Sequence, residues 1–131
     1  MLRYVCLFFV LLLLTATAAD PDVAGKYTGE WKSNGSGAGG DFRMTLQSAD
    51  AGGWKFEAVF TLSGEEVKTK TQEIKVTGSK IEAAYDFDLQ GVTLRSRLTG
   101  DWNGKGFEGK YQTTSVDGSA AVDAGTWTVH K

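Results

Sequence analysis

The sequence predicts an all-β domain, a small eight-stranded antiparallel up-and-down barrel. Three observations carry this reading. Apolar and polar residues alternate with period two from Tyr27 to Val129, and no helical periodicity follows the first segment of the chain. Glycine-bearing dipeptides of turn type separate the alternating runs. Neighbouring runs also agree in register when they are folded about short turns.

The first strand presents Tyr27, Gly29 and Trp31 on one face. Ser33 to Gly40 then reads as a glycine–serine loop. Phe42, Met44 and Leu46 mark the second strand, and Trp54, Phe56, Ala58, Phe60 and Leu62 the third. Val67, Thr69 and Thr71 begin a fourth, but Ile74 and Val76 take the opposite parity, which predicts a bulge near Gln72-Glu73. Ile81 to Leu89 gives the fifth strand, Val92 to Trp102 the sixth, Phe107 to Thr113 the seventh and Gly125 to Val129 the last.

Gly78-Ser79 and Gln90-Gly91 suit two-residue turns, and Asn103-Gly104 is a strong hairpin signal. A turn at Gln90-Gly91 sets Leu89 against Val92, Phe87 against Leu94, Tyr85 against Ser96 and Ala83 against Leu98. It also sets Asp86 against Arg95, a cross-strand ion pair contributing a few tenths of a kcal/mol, roughly. A turn at Gly78-Ser79 pairs Lys75 with Glu82. A weak repeat runs through the same frame. Phe56-Glu57-Ala58-Val59-Phe60, Ile81-Glu82-Ala83-Ala84-Tyr85 and Phe107-Glu108-Gly109-Lys110-Tyr111 share one pattern, and each opens an alternate strand. A hairpin repeated in this way describes an up-and-down sheet, and closing it removes its edges.

Residues 1–19 read as an export signal. Arg3 is followed by the apolar run Val5 to Leu14 and the small residues Ala16-Thr17-Ala18-Ala19. The run is about ten residues, half the roughly twenty that a membrane-spanning helix needs. The expected product is a single domain, 20–131, secreted to a periplasmic or extracellular setting with no stable membrane anchor. Its removal would take away the only cysteine, Cys6. The domain then has no disulfide and depends on packing alone. The charge is mildly acidic, 14 Lys+Arg against 16 Asp+Glu, with no basic stripe of the kind that nucleic-acid binding needs.

From Tyr27 onward all twelve aromatic residues fall on the inward parity. In a barrel of this size the interior holds side chains, or side chains and one small ligand. Tyr27, Trp54, Tyr85, Trp102, Tyr111 and Trp127 are the candidates to line such a site, because their polar tips need partners when buried. Inward Gly29, Gly100, Gly109 and Gly125 leave space.

No catalytic or metal-binding constellation is legible, and no cofactor is implied. His130 is the one histidine of the chain. Asp86 and Asp88 point outward, and Gly35 to Gly40 does not join a strand to a helix as a phosphate loop must. Asn34-Gly35-Ser36 fits the glycosylation pattern.

Gly29-Glu30-Trp31, echoed by Gly125-Thr126-Trp127, resembles the Gly-x-Trp signature of lipocalins and the similar opening of avidins, the calycin-type barrels. The chain also resembles short barrel proteins exported by bacteria. The resemblance implies a closed meander barrel with a ligand mouth at one end, and Trp31 as the plug of the other. The chain departs from lipocalins in its shorter length and in lacking a disulfide, a C-terminal helix and a second lipocalin motif. Three functional readings remain open at this level. One is a non-catalytic module holding a small apolar molecule at the barrel mouth. Another is a protein-binding, inhibitor or envelope-associated barrel acting through the 33–40 and 115–123 loops. The last is an enzyme working in the mouth.

Export is expected to remove the first 18 or 19 residues. N-terminal sequencing of the secreted protein checks this, and a sequence beginning at Met1 contradicts it.

Overall fold

A computed structural model describes residues 22–131, so the expected signal segment lies outside the described residues. The molecule is a nearly closed antiparallel β-barrel of nine strands. They are β1 (Gly25–Ser33), β2 (Gly39–Ser48), β3 (Trp54–Leu62), β4 (Glu65–Lys68), β5 (Lys70–Thr77), β6 (Lys80–Leu89), β7 (Val92–Trp102), β8 (Gly106–Ser115) and β9 (Ala121–His130). A single 3₁₀ turn, Asp50–Gly52, sits between β2 and β3. The ladder runs β4-β3-β2-β1-β9-β8-β7-β6-β5, so the first and last strands are neighbours.

The strand count corrects the expected eight. The segment taken as one fourth strand is divided at Thr69: β4 pairs with β3, whereas β5 pairs with β6. The physical reason lies in the side chains at the division. The Thr69 hydroxyl donates to the Ala58 carbonyl at 2.6 Å and the Thr71 hydroxyl to the Phe56 carbonyl at 2.5 Å. Two threonine side chains thus satisfy β3 carbonyls at the seam where the ladder stops. The parity change has the expected cause, a register shift between Thr71 and Glu73. A second shift lies between Thr113 and Thr114.

The β6–β7 register is Leu89↔Val92, Phe87↔Leu94, Tyr85↔Ser96, Ala83↔Leu98 and Asp86↔Arg95, as the turn chemistry requires. Gln90 and Gly91 both have positive φ, 52° and 79°, the geometry of a two-residue turn whose twist matches its strands. Arg95 grips Asp86 with two bonds, Nε to Oδ1 at 2.7 Å and a terminal nitrogen to Oδ2 at 3.1 Å. That hydrogen bonding holds the Asp86 carboxyl below its ordinary pKa. Lys75 and Glu82 also face one another. The glycine–serine loop is shorter than expected, because β1 runs through Ser33 and β2 starts at Gly39.

Closure centres on the β1–β9 pairing, in which Trp31 and Trp127 lie directly opposite each other. The glycines of the two Gly-x-Trp segments flank this pair. A Cβ on Gly29 would lie 1.8 Å from the Thr128 carbonyl oxygen, and one on Gly125 would lie 1.8 Å from that of Lys32. Neither contact can be relieved by moving a side chain, so only glycine lets the two strands approach this closely. From the pair the indoles reach in opposite directions. Trp31 faces Gly40 on β2 and donates its Nε1–H to the Thr61 carbonyl of β3 at 2.9 Å. Trp127 faces Gly109 on β8, and its Nε1–H is shared between the carbonyls of Thr99 on β7 and Lys110 on β8, at 3.2 Å each.

The end of the barrel near the described chain termini is filled. Tyr27, Phe107 and Trp102 pack edge-to-face or tilted there, with centroids 5.6 Å apart for Tyr27–Phe107 and 5.3 Å for Trp102–Phe107. Lys131 lies over the Trp102 and Tyr27 rings, its Nζ 5.7 and 5.8 Å from their centroids, and donates to the Asp22 carbonyl.

Trp127 is buried although it lies four residues before Lys131, so its truncation tests closure. Trp127→Ala is expected to cost about 3–5 kcal/mol, the transfer and cavity terms of a buried aromatic, and more than Trp54→Ala at a half-buried position. Urea unfolding measures both. A cost for Trp127→Ala below about 1 kcal/mol, the scale of a surface site, contradicts the closed seam.

Candidate functional site

The opposite end of the barrel is not filled. A partly open cavity of about 100 Å³ lies under the turns that follow β1, β3, β6 and β8. Strand alternation puts its walls in place. Phe42 and Phe60 come from β2 and β3, Phe87 from β6, Leu94 and Leu98 from β7, and Trp127 from β9. Trp31 lines it too, edge-on to Phe60 and Tyr111 with centroids 6.0 and 6.1 Å away. Leu62 and Leu89 line both this cavity and a shallow side groove between the β3–β4 and β6–β7 turns.

The polar groups of the cavity form two sets. Deep in the wall, Ser96 and Thr113 share a buried hydrogen bond of 2.6 Å between their hydroxyls. Nearer the mouth, Asp123 accepts from Ser33 Oγ at 2.6 Å through Oδ1 and from the Tyr111 hydroxyl at 2.8 Å through Oδ2. Ser33 Oγ also accepts the amides of Gly35 and Ser36, both at 3.3 Å, which fastens the β1–β2 turn to the site. No buried side-chain polar atom among the described residues lacks a partner.

Of the six residues expected to line a ligand site, the structure brings Tyr85, Tyr111 and Trp127 to the cavity. Tyr27 and Trp102 belong to the filled end. Trp54 opens β3 beside the 3₁₀ turn and is not among the cavity residues. Trp31, expected as an end plug, stands in the cavity wall. His130 closes β9 opposite Thr28 and Gly106, at the far end from the cavity. Among the described residues no three His, Cys, Asp or Glu side chains are grouped to hold a metal ion.

Sequence reading missed Asp123, Ser33, Ser96 and Thr113. Asp123 is hidden in the sequence because the alternation of the last strand is clear only from Gly125, which leaves 115–123 reading as loop. The strand begins at Ala121, and Asp123 shares the inward parity of Gly125, Trp127 and Val129. A carboxylate on an inward parity was the available signal.

No protein-family model matches the chain, and comparison with curated proteins and solved structures gives no match.

All three tyrosines of the described chain have raised pKa values. Burial pushes Tyr27 up to about 12, with the Asp22 charge adding to it. Burial also raises Tyr85, against the hydrogen bond from Ser96. It raises Tyr111, where the hydrogen bond to Asp123 acts in the same direction. Folded tyrosines therefore keep protons that the unfolded chain releases from pH 10.0 upward. The associated stability is present in full below that pH and is lost as pH rises towards about 12, where Tyr27 titrates. Urea midpoints followed with pH, together with ultraviolet tyrosinate absorbance, are expected to show ionisation in step with unfolding. Ionisation at the ordinary value with the fold intact contradicts it.

Proposed function

We propose that this chain is an exported, non-catalytic binding module that holds the apolar part of a small molecule in its mouth cavity. The observation that carries the reading is the contrast between the two ends of one barrel. Tyr27, Trp102 and Phe107 fill one end, while at the other the aromatic side chains frame an opening with a carboxylate at its rim. The cavity is small. Sites for drug-sized ligands run to about 300–1,000 Å³, so about 100 Å³ suits a single ring or a short branched chain, with the rest of the molecule outside. In this the chain would work as lipocalin- and avidin-type barrels do, with a rigid wall and a mouth at one end.

A second reading rests on a separate observation. Among the described residues the exposed large hydrophobics are Val92, Val116 and Val122, 57, 43 and 53 % accessible, and all three sit at the mouth end. An apolar rim on rigidly held turns suits a protein partner, such as a secreted or envelope protein.

Benzyl alcohol at saturating concentration is expected to raise the melting temperature of the wild type, because a ligand bound only by the folded state stabilises it by mass action. Leu94→Trp, which places an indole in the cavity, is expected to abolish the shift. A wild type that does not respond, or a variant that responds equally, contradicts cavity binding.

A further inference from the structure

Asp123 is the one carboxylate among the residues lining the cavity, and it is only half-buried among aromatic rings. A charge in such surroundings is costly unless it is paired. Its neighbours answer that need in part. Ser33 and Tyr111 are uncharged donors, and each occupies one site on a different carboxylate oxygen. An ionised carboxylate has about four acceptor sites, so each oxygen keeps a free one. No ion pair among the described residues includes Asp123, although Arg43, Arg95, Arg97 and Lys32 each find an acidic partner elsewhere.

The approach to the cavity has the same sign. The side groove that shares Leu62 and Leu89 with it carries Glu65, Glu66 and Asp88 against Lys68 and the Arg43 that pairs with Glu66, a net excess of one negative charge. The turn after β8 carries Asp117, whose carboxyl is held down to about 2 by hydrogen bonds from Ser115 and Ser119. Such a mouth attracts cations and repels anions.

We infer that the cavity is built for a small apolar amine, with its hydrocarbon part among the aromatic rings and its ammonium on the Asp123 carboxylate. This deepens the binding role proposed above and rests on it. The ammonium donates to the free acceptor sites of Asp123 and completes a charge pair that the protein itself leaves open. An alcohol of the same shape makes a hydrogen bond without the charge, and a carboxylic acid meets a like charge. Ser33 and Tyr111 orient Asp123 and are positioning residues.

The test is a titration of wild type and Asp123→Asn with benzylamine, benzyl alcohol and benzoate at neutral pH. Binding is followed by NMR through the Trp31 and Trp127 indole Nε1–H signals. In the wild type benzylamine is expected to bind about tenfold or more tighter than benzyl alcohol, the scale of a hydrogen bond to a charged group, with benzoate weakest. In Asp123→Asn the amine is expected to lose that advantage while the alcohol binds as before. Equal binding of amine and alcohol to the wild type, or a preference that survives Asp123→Asn, overturns the amine inference and leaves the cavity as a neutral apolar site. Failure of all three to bind overturns both readings. The wild-type series stands without the variant, so a folding defect in Asp123→Asn cannot mask the answer.

Discussion

The fold depends on the place where Trp31 meets Trp127. These residues face each other across the first and last strands, and the rest of the barrel is arranged about them. One indole reaches across β2 to β3, the other across β8 to β7. A single pair of side chains therefore ties six of the nine strands together. Each indole satisfies its N–H on backbone oxygen, as a buried tryptophan must. Glycine is required on both sides of the arrangement. Gly29 and Gly125 allow the close approach of β1 and β9, and Gly40 lies beneath the reach of Trp31, where a Cβ would stand 2.2 Å from the Thr61 oxygen.

The same pair separates the filled end of the barrel from the cavity. On one side of it Tyr27, Phe107, Val129 and Leu46 pack to near-complete burial. On the other the rings diverge and leave the cavity, with Phe42 against Trp127 and Phe60 against Trp31 as its walls. A filled end and an unfilled end in one small barrel follow from where the bulk is placed along the strands. The strands themselves are the same throughout.

Much of this was legible in the sequence. The alternation, the turn residues and the Asp86–Arg95 pairing place β6 and β7 in register without coordinates, because period two leaves little freedom once one face is apolar. The bulge at Gln72 was legible as a change of parity. The division at Thr69 was not, because it depends on two hydroxyls finding carbonyls on β3, a strand that Thr69 and Thr71 do not follow in sequence. The site was half legible. Aromatic residues on inward parities mark the interior, but which end is filled depends on depth along the barrel axis, and alternation carries no information about depth. Asp123 is not legible because the turn-like composition from Val116 to Ala121 obscures the start of its strand.

The division at Thr69 has a topological consequence. The ends of the ladder, β4 and β5, meet in the middle of the chain, while the ends of the described chain, β1 and β9, meet in the middle of the ladder. Lys131 and Asp22 are in hydrogen-bond contact, so those ends are close in space. A circular permutant joined there and opened at Thr69 would run through its strands in ladder order, every pairing formed between consecutive strands. The β1–β9 pairing, the most distant in the present chain, would become local. Folding rates fall as contacts become less local, and the permuted order would exchange one distant closure for another: the pairing of Trp31 with Trp127 would become local, and the lighter seam between β3 and β5 would become the distant one.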